Sequence, residues 1–193
     1  MVEGMEAFPE AGLGISQPPR SWVAPHLFSP EQAWRAQAAG QTSILSEGPS
    51  GTIFRSDAFG KQGCFGSRFH SSDSEMNYRV ALNYPILLLP HELWWYRIHE
   101  GQVSQTLGNT DMGAAERVVW YRELLSMPQN PLKPEERARL DRNTIRGFWR
   151  LLLRRLSQGR VGTVLELWQT SRLPLRTLPL AFSPLCHIAG VQL

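Results

Sequence analysis

The chain has 193 residues and a mass of 21.9 kDa, enough for one domain with a sizeable core. Its 42% hydrophobic and 19% charged residues are ordinary for a globular protein, and its net charge of +3 is only mildly basic. The two cysteines lie 122 positions apart, which argues against a disulfide framework or a zinc site. The longest apolar run, within residues 85–90, is far shorter than the roughly 20 residues that span a bilayer.

The first part of the chain, residues 1–108, is predicted to be an extended arm with short helices. Glycine and proline are concentrated there, which favours irregular structure, yet aromatic side chains recur along it. Two short helices are expected at about 30–39 and 90–100, and residues 76–89 are predicted to be extended. Single aromatic side chains would then fix such an arm to the surface of a partner.

Three helical patterns follow one another in residues 109–173. The first runs from residue 109 to about 127, after polar residues suited to the N-cap. The second opens at Pro134, which suits a first helical position because it has no amide hydrogen to leave unsatisfied, and extends to about residue 158. The third runs from about residue 160 to 172 and cannot continue past Pro174.

The second of these helices is amphipathic. At about 100° per residue, apolar side chains fall on one side and an arginine stripe falls opposite. In the first helix, Arg122 falls in the middle of the apolar face, so its guanidinium needs a partner or an anion. The stripe is made of Arg139, Arg142, Arg146, Arg150 and Arg154.

Two short motifs in this region resemble the LYR-motif family of small mitochondrial three-helix proteins. The first reads Trp120-Tyr121-Arg122, and the second reads Arg146-Gly147-Phe148-Trp149-Arg150. Trp120 stands where the family has leucine, and either Phe148 or Trp149 fills its aromatic position. A second copy of the tripeptide, Trp95-Tyr96-Arg97, is not followed by further helices at the family's spacing.

The resemblance implies an all-α fold: an LYR-type three-helix bundle at 109–173 with long, irregular extensions, the C-terminal one at 174–193. It also implies a non-catalytic accessory subunit of a large mitochondrial membrane-associated complex, above all respiratory complex I. The protein would lie on the matrix side of the inner membrane, dock an acylated acyl carrier protein and brace neighbouring subunits through its arm and tail. It would hold no cofactor directly, since the acyl-phosphopantetheine belongs to the carrier protein.

The same resemblance implies two sets of site residues. Those facing the acidic carrier protein are Arg117, Tyr121, Arg122, Arg139, Arg142, Arg146 and Arg150. Those lining a pocket for the acyl chain are Val118, Leu125, Ile145, Phe148, Trp149, Leu152, Val164, Leu165 and Trp168.

Other functions have less support in the sequence. His91-Glu92 begins like a zinc-protease motif, but the second histidine is replaced by Trp95, so no metal site is predicted. No nucleophile elbow or phosphate-binding loop is present, and enzyme activity is not expected. An acidic N-terminus is unlike a mitochondrial presequence, so targeting is unexplained.

Two alternatives stay open: an assembly or iron–sulfur biogenesis factor of the same family, and a mitochondrial ribosome-associated RNA- or protein-binding subunit. Nucleic acid is disfavoured because the aromatic residues lie opposite the arginines.

Overall fold

A computed structural model describes residues 1–16, 24–40, 44–69, 71–90, 93 and 110–189. The described chain is mostly helical and contains a small sheet. The α-helices are α1 (Val2–Ala7), α2 (Pro30–Ala38), α3 (Ser56–Lys61), α4 (Ser72–Val80), α5 (Thr110–Ser126), α6 (Pro134–Ser157) and α7 (Val161–Ser171). The strands are β1 (Leu13–Ser16), β2 (His26–Phe28), β3 (Thr52–Phe54) and β4 (Ile86–Leu89). Short 3₁₀ helices are formed by Ile44–Ser46, Pro49–Gly51 and Leu175–Phe182.

A four-stranded mixed sheet organises the N-terminal part of the chain. The strand order is β2-β4-β1-β3; β1 and β4 are parallel, and the other two pairs are antiparallel. Both central strands are buried along their whole length, as expected for strands covered on both faces. The prediction of an all-α fold therefore holds only as a mostly helical one, and the extended arm predicted for residues 1–108 is replaced, over its described residues, by this sheet and short packed helices.

The sheet escaped prediction because its strands are short and distant in sequence. The β1–β4 pairing places Leu13 opposite Ile86, and no local pattern reports such a pairing. Residues 76–89, predicted to be extended, contain the end of α4 as well as strand β4. The short helix near 30–39 is confirmed, with Ser29 and Gln32 forming a capping box. The helix expected at 90–100 lies outside the described residues, apart from Pro90 and Leu93.

Glycine at position 14 lets α1 lie directly on the sheet. A Cβ there would stand 2.7 Å from the sulfur of Met5 and 2.9 Å from Ile53, closer than packed atoms approach. Arg55 then fixes the end of α1, donating to the carbonyls of Phe8 at 3.1 Å and Ala11 at 2.8 Å. Arg55, which follows β3, thereby ties the turn after α1 to the sheet.

Helices occupy all three places predicted in the second half of the chain, with ends within two residues of the prediction. Glu136 accepts a hydrogen bond from the backbone of Lys133 at 3.0 Å at the start of α6, and Gly159 ends it with a φ of +75°. Arg155 binds both carboxylate oxygens of Asp111, at 2.5 and 2.7 Å, which joins α6 to α5. These hydrogen bonds hold the pKa of Asp111 below its ordinary value.

The segment after α7 lies along α6. It begins with the 3₁₀ helix Leu175–Phe182 and continues without helix or strand to residue 189. The prediction of an extended tail at 174–193 therefore misses its first half. The prolines that exclude an α-helix do not exclude 3₁₀ turns, which are short and demand fewer backbone donors.

The buried side chains of the described residues form three clusters: a small one lies between α1 and the sheet, and the two larger ones meet at α5. The largest joins the sheet, α2 and α4 to Trp120, Tyr121, Leu124 and Leu125 of α5. A second lies between α5, α6, α7 and the C-terminal segment. Helix α5 is therefore covered on several sides, which explains why its sequence has no clear apolar stripe.

Candidate functional site

A cavity of about 510 Å³ lies between α2, α5, α6 and the C-terminal segment. It falls within the size range of small-molecule sites, roughly 300–1,000 Å³. Each of these four parts of the chain contributes to its wall. The lining residues are Gln37, Ala38, Ala39, Tyr78, Ala114, Arg117, Val118, Tyr121, Leu140, Asn143, Thr144, Gly147, Phe148, Leu151, Leu185, Cys186, His187 and Ile188.

Four aromatic rings join the sheet-containing part of the chain to α5, and two of them, Tyr78 and Tyr121, line the cavity. Tyr121 stacks on Trp34 with ring centroids 5.8 Å apart and meets Tyr78 edge-on at 5.4 Å. Trp120 packs on Tyr78 at 5.3 Å and donates its indole hydrogen to Ser71 at 3.1 Å. We call these four residues the aromatic cluster. Trp120 and Tyr121, two residues of the motif predicted to bind a carrier protein, thus pack against the N-terminal part of this chain.

The tyrosines of the aromatic cluster are held in their neutral form. Burial raises the pKa of Tyr78 to about 12, with smaller opposing effects from Ser46 and Arg117. Burial likewise raises the pKa of Tyr121, and the charge of Arg117 again opposes it. Arg117, exposed on α5, therefore brings a positive charge close to two phenol groups at the cavity.

Arg122 has a partner within the chain. Its Nε donates to Asp141 of α6 at 2.6 Å, and both side chains are partly exposed. The prediction that Arg122 needs a partner is correct, but the partner is a neighbouring helix. A carrier protein is not required to explain it.

Most of the arginine stripe meets the C-terminal segment. Arg146 donates to the Ser183 carbonyl at 2.7 Å, Arg150 to the Ala181 carbonyl at 2.8 Å, and Arg139 to the His187 carbonyl at 3.5 Å. Three of the four stripe residues predicted to face a carrier protein therefore contact this chain's own backbone. The fourth, Arg142, is exposed.

Asn143 pairs with the C-terminal segment in both directions. Its side-chain amide donates to the carbonyl of Cys186 at 2.6 Å and accepts from the amide of Cys186 at 2.9 Å. This reciprocal pairing resembles one step of a strand ladder and fixes the register of the segment on α6. The C-terminal residues of the cavity wall are placed by it.

The residues predicted to form an acyl pocket divide into three groups. Leu125 belongs to the core on the other side of α5, and Leu165 is 50% exposed. The prediction that these two line one pocket with the others is wrong, because the buried face of α7 is centred on Leu167. The remainder pack together between the helices, namely Val118, Ile145, Phe148, Trp149, Leu152, Val164 and Trp168.

Only some of the predicted site residues reach the cavity. Arg117, Val118, Tyr121 and Phe148 line it. The sequence reasoning missed the contributions of α2 and residues 185–188. The apolar composition of the C-terminal tail was a usable signal for residues 185–188, whereas the contribution of α2 depends on a contact between distant parts of the sequence.

None of the described helices is both long and apolar enough to cross a membrane. Within the described ranges, no three His, Cys, Asp or Glu side chains come together in a way that could hold a metal ion. Comparison of the chain with protein families, with curated proteins and with solved structures finds no match. The likeness to the LYR-motif family therefore rests on the two motifs and their spacing.

Proposed function

We propose that this protein is a non-catalytic accessory subunit that docks an acylated acyl carrier protein and shelters the acyl chain in the cavity between α2, α5, α6 and the C-terminal segment. The observation that supports it most is a cavity of about 510 Å³ with Arg117 in its wall. The proposal retains the LYR-type function, the mitochondrial matrix location and membership of a complex such as respiratory complex I. It differs from the prediction made from the sequence in the location of the acyl chain, which is this cavity and not the space between α5, α6 and α7.

The lining of the cavity suits an acyl chain. Val118, Phe148, Leu151 and Ile188 supply apolar surface, while the two tyrosines stay neutral. Burying about a dozen methylenes at roughly 0.8 kcal/mol each is worth on the order of 10 kcal/mol before ordering costs. That is comparable with the whole stability of a small domain, so occupancy would govern folding.

Arg117 suits the anionic linker that carries the chain. A guanidinium binds a phosphodiester through two parallel hydrogen bonds, and an exposed one keeps its donors available. Arg142 is exposed on the neighbouring helix and could meet an acidic side chain of the carrier. Arg122, Arg146 and Arg150 have lesser parts in this version of the proposal because they already bind groups of this chain.

A glycine in the cavity wall offers a clean test. Gly147 lies within α6, and a Cβ there would meet no other atom within 4 Å. Gly147→Leu should therefore fill part of the cavity without a clash and stabilise the helix by about 0.5–1 kcal/mol. We expect it to lower the affinity for dodecanoyl-carrier at least tenfold, measured by titration calorimetry.

The matched control is Gly113→Leu, since Gly113 is also helical with open space around it but does not line the cavity. It should bind as the unsubstituted protein does. The carrier with bare phosphopantetheine should bind much more weakly than the dodecanoyl form. Equal affinity of the two glycine variants, or of the two carrier forms, would overturn the proposal.

A further inference from the structure

The charges of this chain are strongly separated along its length. Residues 142–193 contain eight arginines and a single acidic residue, Glu166, which gives a formal charge of +7. Residues 1–141 contain twelve basic and sixteen acidic residues, a charge of −4 that brings the total to +3. The mild net charge therefore conceals a C-terminal region with a large positive potential.

Two of these arginines, Arg146 and Arg150, lie where the C-terminal segment meets α6. Phe182 stands between Ala181 and Ser183, whose carbonyls accept hydrogen bonds from Arg150 and Arg146. Two guanidinium groups are therefore bound to the backbone on either side of this phenylalanine. Within the described ranges, no carboxylate pairs with either of them.

Large apolar side chains project from the same segment. Phe182 is 77% exposed, Leu175 58% and Leu185 51%. In the 3₁₀ helix, positions three apart share a face, and Ala181 with Leu178 forms the inner one. Positions 176, 179 and 182 form an exposed face, and with the exposed side chains of two nearby leucines they make up what we call the C-terminal ridge: Leu175, Arg176, Pro179, Phe182 and Leu185.

We propose that the C-terminal ridge binds the surface of a membrane that contains anionic lipids. Phe182 and Leu185 enter the boundary between headgroups and acyl chains, and the arginines of α6 face the lipid phosphates. Exposed apolar side chains close to basic residues are typical of protein surfaces that bind anionic membranes. A projecting ring needs no preformed pocket in lipid, whereas a protein partner would have to supply one, which favours the membrane.

Phe182, Leu175 and Arg176 belong to the ridge and do not line the cavity, so substitutions at Phe182 and Arg176 separate this inference from the acyl-chain site, whereas Leu185 contributes to both. The test uses the full chain and sedimentation with phosphatidylcholine vesicles, with and without phosphatidylglycerol. The protein should bind only the anionic vesicles, and added salt should release it. Phe182→Ala should lower the partition coefficient about tenfold, as loss of a buried phenylalanine predicts. Arg142→Gln and Arg176→Gln should each lower it about fivefold.

Phe65→Ala is the matched control, because Phe65 is 47% exposed but lies in the N-terminal part of the chain. It should leave vesicle binding unchanged, and circular dichroism should show that all variants fold alike. Equal loss in Phe65→Ala and Phe182→Ala, or binding to uncharged vesicles alone, would overturn the proposal. So would tight binding to polyglutamate, insensitive to Phe182→Ala, without binding to anionic vesicles; that result would assign the ridge to an acidic protein.

Discussion

The cavity has two walls of opposite character. On one side, the aromatic cluster joins α2 and α4 to α5 through buried rings with centroids 5.2–5.9 Å apart. On the other, Ala181 and Leu178 of the C-terminal segment are packed among apolar side chains, but most of the contacts that hold the segment on α6 are side chains that donate to its backbone carbonyls. Water can replace such hydrogen bonds at a small net cost, whereas the burial of several aromatic rings is not replaceable. We infer that the first wall is permanent and the second is exchangeable.

The strongest test of this contrast is Trp120→Ala. Removing a fully buried tryptophan from the aromatic cluster should lower the free energy of unfolding by about 3–5 kcal/mol, through lost burial and the remaining void. Denaturant unfolding measures this loss. Phe65→Ala removes a half-exposed ring that packs edge-on against Phe59 at 4.9 Å, so it should cost about 1 kcal/mol, well below the cost of Trp120→Ala. A loss below about 1 kcal/mol for Trp120→Ala would contradict a permanent wall.

Alkaline pH should loosen the aromatic wall before the C-terminal one. Because the folded-state pKa of Tyr78, about 12, lies above its ordinary value of 10.0, the folded state retains its proton longer than the unfolded state does. Stability is therefore full below pH 10 and falls as the pH rises toward 12, by at most about 1.4 kcal/mol per pH unit from this residue.

Tyr78→Phe should reduce that slope, and urea unfolding at several pH values would measure it. Tyr121 retains its own raised pKa, so some slope should remain in the variant. Tyr84, a partly exposed tyrosine, provides the control as Tyr84→Phe. If the unsubstituted protein and Tyr78→Phe lost stability equally between pH 10 and 12, Tyr78 would not be the group responsible.

A smaller effect is expected at the exchangeable wall. Asn143→Ala removes the two hydrogen bonds to Cys186 and should cost about 1–3 kcal/mol. Hydrogen exchange of the peptide around Cys186 should accelerate, while exchange in strands β1 and β4 should stay slow. Asn83→Ala, at an exposed turn, should alter neither region. Unchanged exchange around Cys186 in Asn143→Ala would mean that other contacts hold the segment.

The smallest effect on folding should come from Phe182→Ala. The ring is mostly exposed, so its loss should change the free energy of unfolding by less than about 0.5 kcal/mol. Chemical denaturation of this variant beside Trp120→Ala gives the sharpest form of the comparison. A loss of unfolding free energy as large as that of Trp120→Ala would show that Phe182 supports the core. The C-terminal ridge would then not be available to bind a membrane.

Sequence reasoning succeeded where the controlling interactions are local. Pro134, Gly159 and Pro174 mark helix boundaries through backbone geometry alone, and the described helices begin and end close to them. The short helix at about 30–39 was predictable for the same reason, because its capping residues lie next to it in sequence. The helix-face assignment was less reliable: α7 buries Leu167 and leaves Leu165 exposed, because the neighbouring helix and the C-terminal segment decide which side is covered.

The candidate site shows the same division. The sequence drew attention to the motif Trp120-Tyr121-Arg122, but it could not predict which residues these side chains contact. Their partners Trp34 and Asp141 lie far from them in sequence or on another helix. An arginine stripe on a helix has the same pattern whether it meets water, a partner protein or the chain's own C-terminus.

By itself, the sequence determined the three helices in residues 110–171 and the presence of a cationic face, because capping, helix periodicity and charge are set by neighbouring residues. The tertiary structure decided the sheet, the cavity and the contacts of the arginines. Strand β1 pairs with β4 although some seventy residues separate them in sequence, and Arg146 binds Ser183 across a separation of 37 residues. Such pairings are chosen by the burial and hydrogen bonding of the whole chain, which no local pattern encodes.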